Sequence, residues 1–388
     1  MKLLFASDTS FHYFDAFPGR EAALSAMREM RPYFDEADFS MLNLENVVGD
    51  PDQNQKLVKS GPNLISSPDF LTYLDALSPT AIGLANNHAR DWGDAVLLDT
   101  IERLRNKGYL TVGAGENIDA AYRPLLFEKD GERVRVLAVA ENEPGYAEED
   151  HAGTAGYDLT RVTHAIRDAR AEGALPIVYF HGGNEYNPFP SPGKVALYRH
   201  LVELGAAAVI AMHTHCPQGH ELYLGAPIVY SMGNFFFPSQ NGKDATWSRG
   251  YMTALEIKDG RVSYETIPYA FDFDCLAPLR GEELAKFNAY LDYLCRPIGS
   301  EKEIRRRFET WCALRGVGYL LPLVVYEPSM LTDGARAVCR FKNILNCEAH
   351  AELIAASAKL LYDGNLETAR LGIPELESLM QLQLPAST

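Results

Sequence analysis

The chain has 388 residues, of which 47% are hydrophobic and 23% are charged. This is the composition of an ordinary globular protein, and it excludes disordered and collagen-like chains. No apolar run approaches the roughly 18 residues that a membrane span needs, so we expect none. Acidic residues outnumber basic ones by 52 to 36, a net charge of −16, which argues against nucleic acid as a partner because such a field repels phosphates.

The first eight residues predict a strand rather than a secretion signal. Only five apolar residues precede Ser7 and Asp8, which is too few for the apolar segment of a signal peptide. Six cysteines are present, and none forms the C-x-x-C pair that is typical of zinc or redox sites. We therefore expect reduced thiols and a cytoplasmic protein.

Short apolar runs and helical patterns alternate through the first half of the chain. The predicted strands are 2–7, 38–44, 81–86, 109–113 and 175–181, and the predicted helices are 20–31, 67–77, 93–107, 160–172 and 192–204. Such a rhythm favours a mostly parallel sheet with helices outside and ligands at the carboxyl ends of the strands. Hairpins are predicted at 125–140 and 255–267, around Asp-Gly turns, and at 221–232, around Gly225.

Beyond about residue 281 the pattern becomes helical, with predicted helices at 282–295, 301–315 and 348–362. We therefore expect one α/β domain over residues 1–275 and a helical C-terminal extension over residues 276–388. The sequence leaves two roles open for this extension: it covers the groove of the domain, or it forms the surface of a homodimer.

Polar clusters follow the predicted strands at the points where sites of α/β proteins are built. His213 and His215, two residues apart in extended chain, are expected to point to the same side. Imidazole, carboxylate and amide groups together suit a divalent Mn, Fe or Zn ion, whereas the lack of cysteine argues against a closed structural zinc site. Each cluster alone also fits a turn or a helix cap, but all five together favour one joint site. The clusters are Asp8, Asn43-Leu-Glu45-Asn46, Asn86-Asn87-His88, His181-Gly-Gly-Asn-Glu185 and His213-Thr-His215.

These clusters, with Tyr230-Ser-Met-Gly-Asn-Phe235, resemble the CapA or PgsA family of capsule-synthesis proteins, which is named for poly-γ-glutamate. The resemblance covers roughly residues 2–270, and the run Asn346-Cys-Glu-Ala-His350 is similar to an extension of some members. The family in turn resembles the metallo-dependent phosphatases. This implies an α/β/β/α sandwich of two mixed sheets with paired metals at the strand ends, followed here by the helical extension.

The resemblance also implies roles for single residues. His88 is expected to protonate a leaving group, and Asp8 is expected to assist catalysis. Glu185 is a further catalytic candidate by its position two residues after the glycines that follow His181, which leaves open whether it is a general base, a carboxylate that orients an imidazole, or only a carboxylate that precedes a helix. Asn43, Tyr230, Asn234 and Phe235 are expected to line the substrate pocket, although Gly233-Asn234 before three phenylalanines also fits a turn into a buried strand. Two divalent ions are expected, although Ser10 replaces a phosphatase histidine and Glu45 replaces an aspartate, which leaves open whether one position is weak. The expected metal ligands are Asp8, Glu45, Asn87, His181, His213 and His215.

Three functions agree with this pattern. The first is a metal-dependent hydrolase acting on an ester or amide of a small-molecule or peptide substrate, including one that resembles polyglutamate. The second is a non-hydrolytic accessory protein of capsule polymer assembly, although a charge of −16 opposes binding a polyanion. The third is an epimerase-like acid/base catalyst on an amino acid or peptide.

Overall fold

A computed structural model of the protein describes residues 1–12, 20–50, 56–59, 61–239, 245–272, 275–316 and 334–385. The strands are β1 (Lys2–Thr9), β2 (Phe39–Leu44), β3 (Val47–Val48), β4 (Ile65–Ser66), β5 (Ala81–Gly83), β6 (Leu110–Val112), β7 (Ala114–Gly115), β8 (Leu125–Lys129), β9 (Glu132–Ala140), β10 (Gly153–Thr154), β11 (Leu175–His181), β12 (Ala208–Met212), β13 (His220–Tyr223), β14 (Ala226–Val229), β15 (Asn234–Phe236), β16 (Arg249–Lys258), β17 (Arg261–Phe271) and β18 (Leu276–Pro278).

The helices alternate with the strands and then take over the C-terminal part of the chain. A 3₁₀ turn at Pro68–Phe70 precedes the second helix, and a π-helical turn at Cys312–Gly316 follows the eighth. The helices are α1 (Arg20–Asp35), α2 (Leu71–Leu77), α3 (Asp94–Asn106), α4 (Ile118–Ala121), α5 (Leu159–Ala171), α6 (Pro192–Glu203), α7 (Gly281–Cys295), α8 (Glu301–Trp311), α9 (Gly334–Asn346), α10 (Glu348–Tyr362), α11 (Leu366–Arg370) and α12 (Ile373–Met380).

Two mixed sheets form the centre of the fold. The first has the order β18-β17-β16-β1-β2-β5-β6, with β15 paired to the end of β1, and the second has the order β13-β14-β12-β11-β9-β8. In the second sheet the central strands run parallel and an antiparallel hairpin completes each edge, whereas in the first sheet β1, β2, β5 and β6 run parallel and the antiparallel strands β16, β17 and β18 complete the other side. The predicted hairpins at 125–140, 221–232 and 255–267 are all present.

Alternation of side chains along the central strands builds three packed layers. Leu3 and Phe5 of β1 face the second sheet and pack with residues of β9 and β11, whereas Leu4 and Ala6 face α1 and α2. The outer face of the second sheet packs against Val162 and other residues of α5 and α6. The α/β/β/α sandwich that the sequence implied is therefore confirmed, as are the helices that follow it.

The parallel strands end at the polar clusters that were identified in the sequence. Asp8 lies at the end of β1, Asn43 at the end of β2 and His181 at the end of β11, while His213 follows β12 directly. β5 ends at Gly83 rather than at residue 86, because the chain begins to turn before Asn86-Asn87. Both sheets thus deliver polar residues to the same edge of the sandwich.

Within the described residues, the chain after β18 is helical. α7, α8, α10 and α12 share one apolar cluster, which includes Leu294, Phe308, Leu353 and Leu379 and which also receives Phe189 from the loop before α6. The last helices are therefore packed onto the domain by buried apolar side chains. In the part of the chain that the structure covers, no helix is long and apolar enough to cross a bilayer.

Replacing Leu379 with alanine is expected to lower the free energy of unfolding by about 2–5 kcal/mol, because the fully buried side chain leaves a cavity in this cluster. Leu371→Ala is the matched control, since that side chain is 81% exposed and should change stability by less than about 0.5 kcal/mol. Urea unfolding of both variants measures the difference. Equal stability would mean that α12 does not belong to the cooperative core.

Candidate metal centre

Glu45 is the central residue of the strand-end cluster. Its side chain is fully buried, and neither carboxylate oxygen has a hydrogen-bond partner among the described residues. Burial, together with the charges of Asp8 and Glu185, raises the pKa of Glu45 well above its usual range. A buried carboxylate without partners is costly unless a cation compensates it.

His181 contacts this carboxylate from the end of β11. Its Nε2 lies 3.7 Å from Glu45 Oε1, 3.1 Å from Asn87 Oδ1 and 3.0 Å from His213 Nδ1. Its Nδ1 lies 3.2 Å from Asp8 Oδ1 and 3.3 Å from Asn43 Nδ2, so these two side chains hold the ring in place. Four atoms with lone pairs therefore converge at one point, which is an arrangement that a metal ion satisfies.

Asp8 is also buried, but its oxygens are already bonded. Oδ1 accepts from Asn43 Nδ2 at 2.7 Å and Oδ2 accepts from the backbone N–H of His213 at 2.8 Å. Burial alone would raise the pKa of Asp8, but the charge and hydrogen bond of His181 outweigh it and the pKa falls. Asp8 is therefore ionised, and it both orients His181 and lies within reach of the cluster.

The backbone conformation that places His213 and His215 at the cluster differs from the extended chain that the sequence predicted. Both have positive φ, 102° and 55°, so the chain is not extended there and the alternation of an extended strand does not apply. Such backbone costs about 1–3 kcal/mol per residue and is a feature of functional sites. The two rings lie 6.0 Å apart, and the Nδ1 atom of His215 donates to Asn234 Oδ1 at 2.8 Å.

The ligand atoms fall into two groups that share Glu45. In each group the atoms lie within 4.8 Å of one another: Glu45, His181 and His213 form the first, and Asp8, Glu45 and His215 form the second. The shared carboxylate stands between the groups, where a bridging ligand of a two-metal site belongs. A buried carboxylate without a hydrogen-bond partner among the described residues, faced by three imidazoles, is a donor set that fits one or two divalent ions.

His88 stands beside this cluster in a turn. The chain turns at Asn86-Asn87 as expected, and Asn86 Oδ1 accepts from the backbone N–H of His88 at 3.0 Å. The Nδ1 atom of His88 lies 2.6 Å from Asp91 Oδ2, which assigns the ring proton to Nδ1. Burial and the charge of Lys59 lower the pKa of His88 to about 4, so the ring is neutral at pH 7.

Lys59 is buried against the pair formed by His88 and Asp91. It donates to the backbone carbonyl of Asn87 at 2.9 Å and to Asp91, whose side chain is also fully buried. Burial alone would raise the pKa of Asp91, but His88 and Lys59 outweigh it and keep the carboxyl ionised. Lys59 thus links the turn that contains Asn87 and His88 to Asp91.

Replacing Lys59 with methionine is expected to lower the free energy of unfolding by about 3–5 kcal/mol, because Asp91 loses its cation in a site without solvent. Lys107→Met breaks an exposed ion pair with Asp75 and should cost less than about 1 kcal/mol. Chemical denaturation of both variants checks this. A small loss for Lys59→Met would mean that solvent reaches Asp91.

The C-terminal extension approaches the centre through Glu143. The Oε1 atom of Glu143 lies 3.7 Å from His213 Nε2, and its Oε2 accepts from Asn343 Nδ2 of α9 at 3.3 Å. Burial raises the pKa of Glu143, although the charge of His350 of α10 opposes the rise. Of the two roles left open for the extension, this contact favours that of a cover.

The other expected site residues differ in their distance from the ligand groups. Glu185 is exposed after Gly183, whose φ of +129° turns the chain, and its charge acts on Glu45 and His88 from the mouth of the site. Asn43 and Asn234 are fully buried and form hydrogen bonds with Asp8 and His215. Tyr230 and Phe235 lie in the hydrophobic core, where Tyr230 donates to Glu221.

The family model for the bacterial capsule synthesis protein PGA_cap matches residues 8–239, which is more than half of the chain. The chain belongs to the PGA_cap family. The matched region begins at Asp8 and holds all six expected ligands.

Curated relatives of this PGA_cap chain carry related names. It is 26% identical over 279 residues to the PGA biosynthesis protein CapA of Bacillus subtilis, covering 70% of this chain and 72% of that protein. It is 27% identical to the capsule biosynthesis protein CapA of Bacillus anthracis, covering 59% and 56%. It is 33% identical to a probable polyglutamine synthesis accessory protein of Mycobacterium tuberculosis, covering 43% and 47%. The chain therefore spans only about half the length of two of these relatives.

Similar solved structures include a hypothetical protein of Thermus thermophilus, at 14% identity and a TM-score of 0.43, covering 70% of this chain and 99% of that one. A 5'-nucleotidase precursor from the same organism has 15% identity and a TM-score of 0.41, covering 76% and 58%.

Sequence reasoning missed four residues around the centre of this PGA_cap chain: Lys59, Asp91, Glu143 and Asn343. Asp91 follows His88 by three residues, and that spacing within one turn could have indicated it. Lys59, Glu143 and Asn343 carry no local signal, because only the folded chain brings them to the centre.

Proposed function

We propose that the protein is a metal-dependent hydrolase whose centre is built on Glu45. The observation that carries the proposal is the buried carboxylate of Glu45, which has no hydrogen-bond partner among the described residues and faces His181 and His215. A stable fold retains such a group only when something compensates it. The other five expected ligands come from four other segments of the chain, and four of them, Asp8, His181, His213 and His215, belong to the two groups that share this carboxylate.

In this proposal His181, His213 and Asn87 would hold one divalent ion, Asp8 and His215 would hold the other, and Glu45 would be within reach of both. The chemistry that such ions supply is Lewis acidity and a hydroxide nucleophile near neutral pH. The protein supplies the orientation of its ligands: Asp8 and Asn43 hold the Nδ1 side of His181, and Asn234 Oδ1 accepts from His215 Nδ1.

His88 exchanges protons with the reacting groups. With Nδ1 committed to Asp91 and a pKa of about 4, the ring is neutral and Nε2 is an acceptor. His88 therefore takes up a proton before it delivers one to the leaving group, so that it acts as a base and then as an acid. Asp91 stabilises the imidazolium that forms between these two steps.

The bond that is cleaved is proposed to be an ester or amide within a peptide-like polymer or a small molecule derived from it. This class follows from the names of the relatives, which refer to PGA biosynthesis and polyglutamine synthesis. The chain would then trim or release a polymer rather than elongate it.

Two measurements test the proposal. Elemental analysis of protein purified without chelator should find about one to two divalent ions per chain. Release of nitrophenol or nitroaniline is then measured with added Mn²⁺ from p-nitrophenyl phosphate, bis(p-nitrophenyl) phosphate and γ-glutamyl-p-nitroanilide, with Glu45→Gln as the inactive control.

The outcomes separate the candidate functions. Bound metal with turnover that Glu45→Gln abolishes supports the hydrolase. Bound metal without turnover on any substrate contradicts it and favours an accessory protein, which is the word in the name of the Mycobacterium tuberculosis relative. Absence of bound metal from protein purified without chelator would contradict the proposed metal centre.

A further inference from the structure

Each imidazole of the metal centre has one ring nitrogen at the cluster and a second nitrogen that faces another polar side chain. In His181 and His215 this outer nitrogen is Nδ1, and buried side chains contact it. In His213 the ring is reversed: Nδ1 lies 3.0 Å from His181 Nε2, and Nε2 lies 3.7 Å from Glu143 Oε1. Outer partners of this kind hold a metal-binding ring in its orientation and determine which nitrogen carries the proton.

Glu143 occupies the position of the outer partner of His213. Its side chain is only 13% exposed. When Nδ1 of the neutral His213 ring binds a metal ion, the single ring proton is on Nε2, and the carboxylate of Glu143 faces that N–H group. At 3.7 Å the two groups interact through charge rather than through a hydrogen bond. Glu143 belongs to neither of the two ligand groups, so we assign it to the orientation of a ligand.

Asn343 of α9 holds Glu143 from the side of the extension. Its Nδ2 donates to Glu143 Oε2 and to the Nδ1 atom of His350, both at 3.3 Å. Among the side chains of α9 that the structure describes, Asn343 is the only buried one, with 5% exposed. A helix that is otherwise at the surface thus buries one amide, and this amide contacts the carboxylate beside His213.

Two further contacts attach α9 to the domain. The Sγ atom of Cys339 lies 3.0 Å from the backbone carbonyl of Val58, and the Nζ atom of Lys342 lies 5.4 Å from the ring centre of Tyr146. Neither Val58 nor Tyr146 is an expected metal ligand. Of the three contacts, only that of Asn343 leads to one.

We propose that Asn343 is a positioning residue through which the C-terminal extension regulates the metal affinity of the centre. With α9 docked, Asn343 holds Glu143 against Nε2 of His213, and the ring presents Nδ1 to the cluster. With α9 displaced, Glu143 loses this hydrogen bond, His213 loses its fixed orientation and metal binds more weakly. This assignment rests on the metal centre of the proposed function, but it does not require that the centre hydrolyse a bond.

Titration of the full-length, chelator-treated protein with Co²⁺ tests the assignment without any turnover, because the visible absorption of the bound ion reports its affinity. Asn343→Ala is expected to bind Co²⁺ about 10–100-fold more weakly than the wild type, which is the range for loss of an outer partner of a metal ligand. Asn346→Ala is the matched control, since Asn346 is exposed at the end of the same helix, and its affinity should be unchanged. Equal affinities of all three proteins would overturn the proposal.

A double-mutant cycle separates positioning from a general loss of structure. Glu143→Ala should weaken Co²⁺ binding by a similar factor, and adding Asn343→Ala to it should cause no further loss, because Asn343 acts through Glu143. Near-ultraviolet circular dichroism verifies that each variant is folded. If the two losses multiply instead, Asn343 acts on the fold as a whole and is not a positioning residue.

Hydrogen exchange tests the reverse direction of the coupling in the unchanged protein. If docking of α9 strengthens metal binding, bound metal must favour docking of α9 by the same factor. Saturating Co²⁺ should therefore slow the exchange of the amides of residues 338–346 by at least about tenfold, and it should not do so in Asn343→Ala. Exchange that is equally fast with and without Co²⁺ in the wild type would contradict the coupling.

Failure of this assignment and failure of the proposed function give different results. A wild type that binds no Co²⁺ contradicts the metal centre and this assignment together. A wild type that binds Co²⁺ no more tightly than Asn343→Ala retains the centre and contradicts only the role of Asn343. Co²⁺ affinity that depends on Asn343, in a protein without turnover, retains the assignment and contradicts only the hydrolase.

Discussion

Replacing His88 with alanine is expected to reduce turnover by about 10²–10⁴ and to leave bound metal nearly unchanged. The reduction is the range for loss of a general acid or base, and the metal remains because His88 lies beside the ligand groups and bonds to Asp91 instead. Elemental analysis and steady-state kinetics on the same preparation measure both effects. Loss of metal from His88→Ala would show that His88 is a metal ligand, and an unchanged rate would show that His88 takes no part in catalysis.

Two matched variants complete this experiment. His213→Ala should lose metal first and activity as a consequence, because its Nδ1 lies 3.0 Å from His181 Nε2 at the point where the ligand atoms converge. His200→Ala removes a histidine whose side chain is 47% exposed in α6 and should change neither quantity. If His213→Ala retains its metal, the assignment of the first ligand group is wrong.

Glu45→Gln is expected to stabilise the metal-free protein by roughly 1–3 kcal/mol near pH 7, because the variant removes a buried charge without a partner but keeps the shape of the side chain. Metal affinity should fall by at least about 100-fold, so that added Mn²⁺ stabilises the wild type and not the variant. Thermal unfolding with and without Mn²⁺ measures both effects. A matched change at Glu221, which already pairs with Arg199, should instead destabilise.

The pH dependence of this stabilisation has a definite sign. The pKa of Glu45 is raised in the folded state above its ordinary value of 4.5, so the folded protein binds this proton more tightly than the unfolded chain does. The metal-free wild type should therefore lose stability relative to Glu45→Gln as the pH rises from about 4.5. The two proteins should converge in stability below that pH. A difference that does not change with pH would mean that Glu45 is not the titrating group.

The sequence alone determined the layers of the fold and most of the residues of the centre. Short continuous apolar runs and helices with period 3.6 report local burial, which is why β11 and α10 have the predicted bounds. Parallel strands bring their carboxyl ends to one edge of a sheet. For that reason Asp8, Glu45 and His181 could be assigned to one cluster before their distances were known.

Only the tertiary structure decided how these residues act. The positive φ of His213 and His215 depends on contacts such as the one between the His213 N–H and Asp8, which lies 205 positions away. Lys59 reaches His88 across 29 positions, and Asn343 reaches Glu143 across 200. Contacts at such separations produce no periodic pattern in the sequence. They depend on how the loops and the helical extension pack on the folded sandwich.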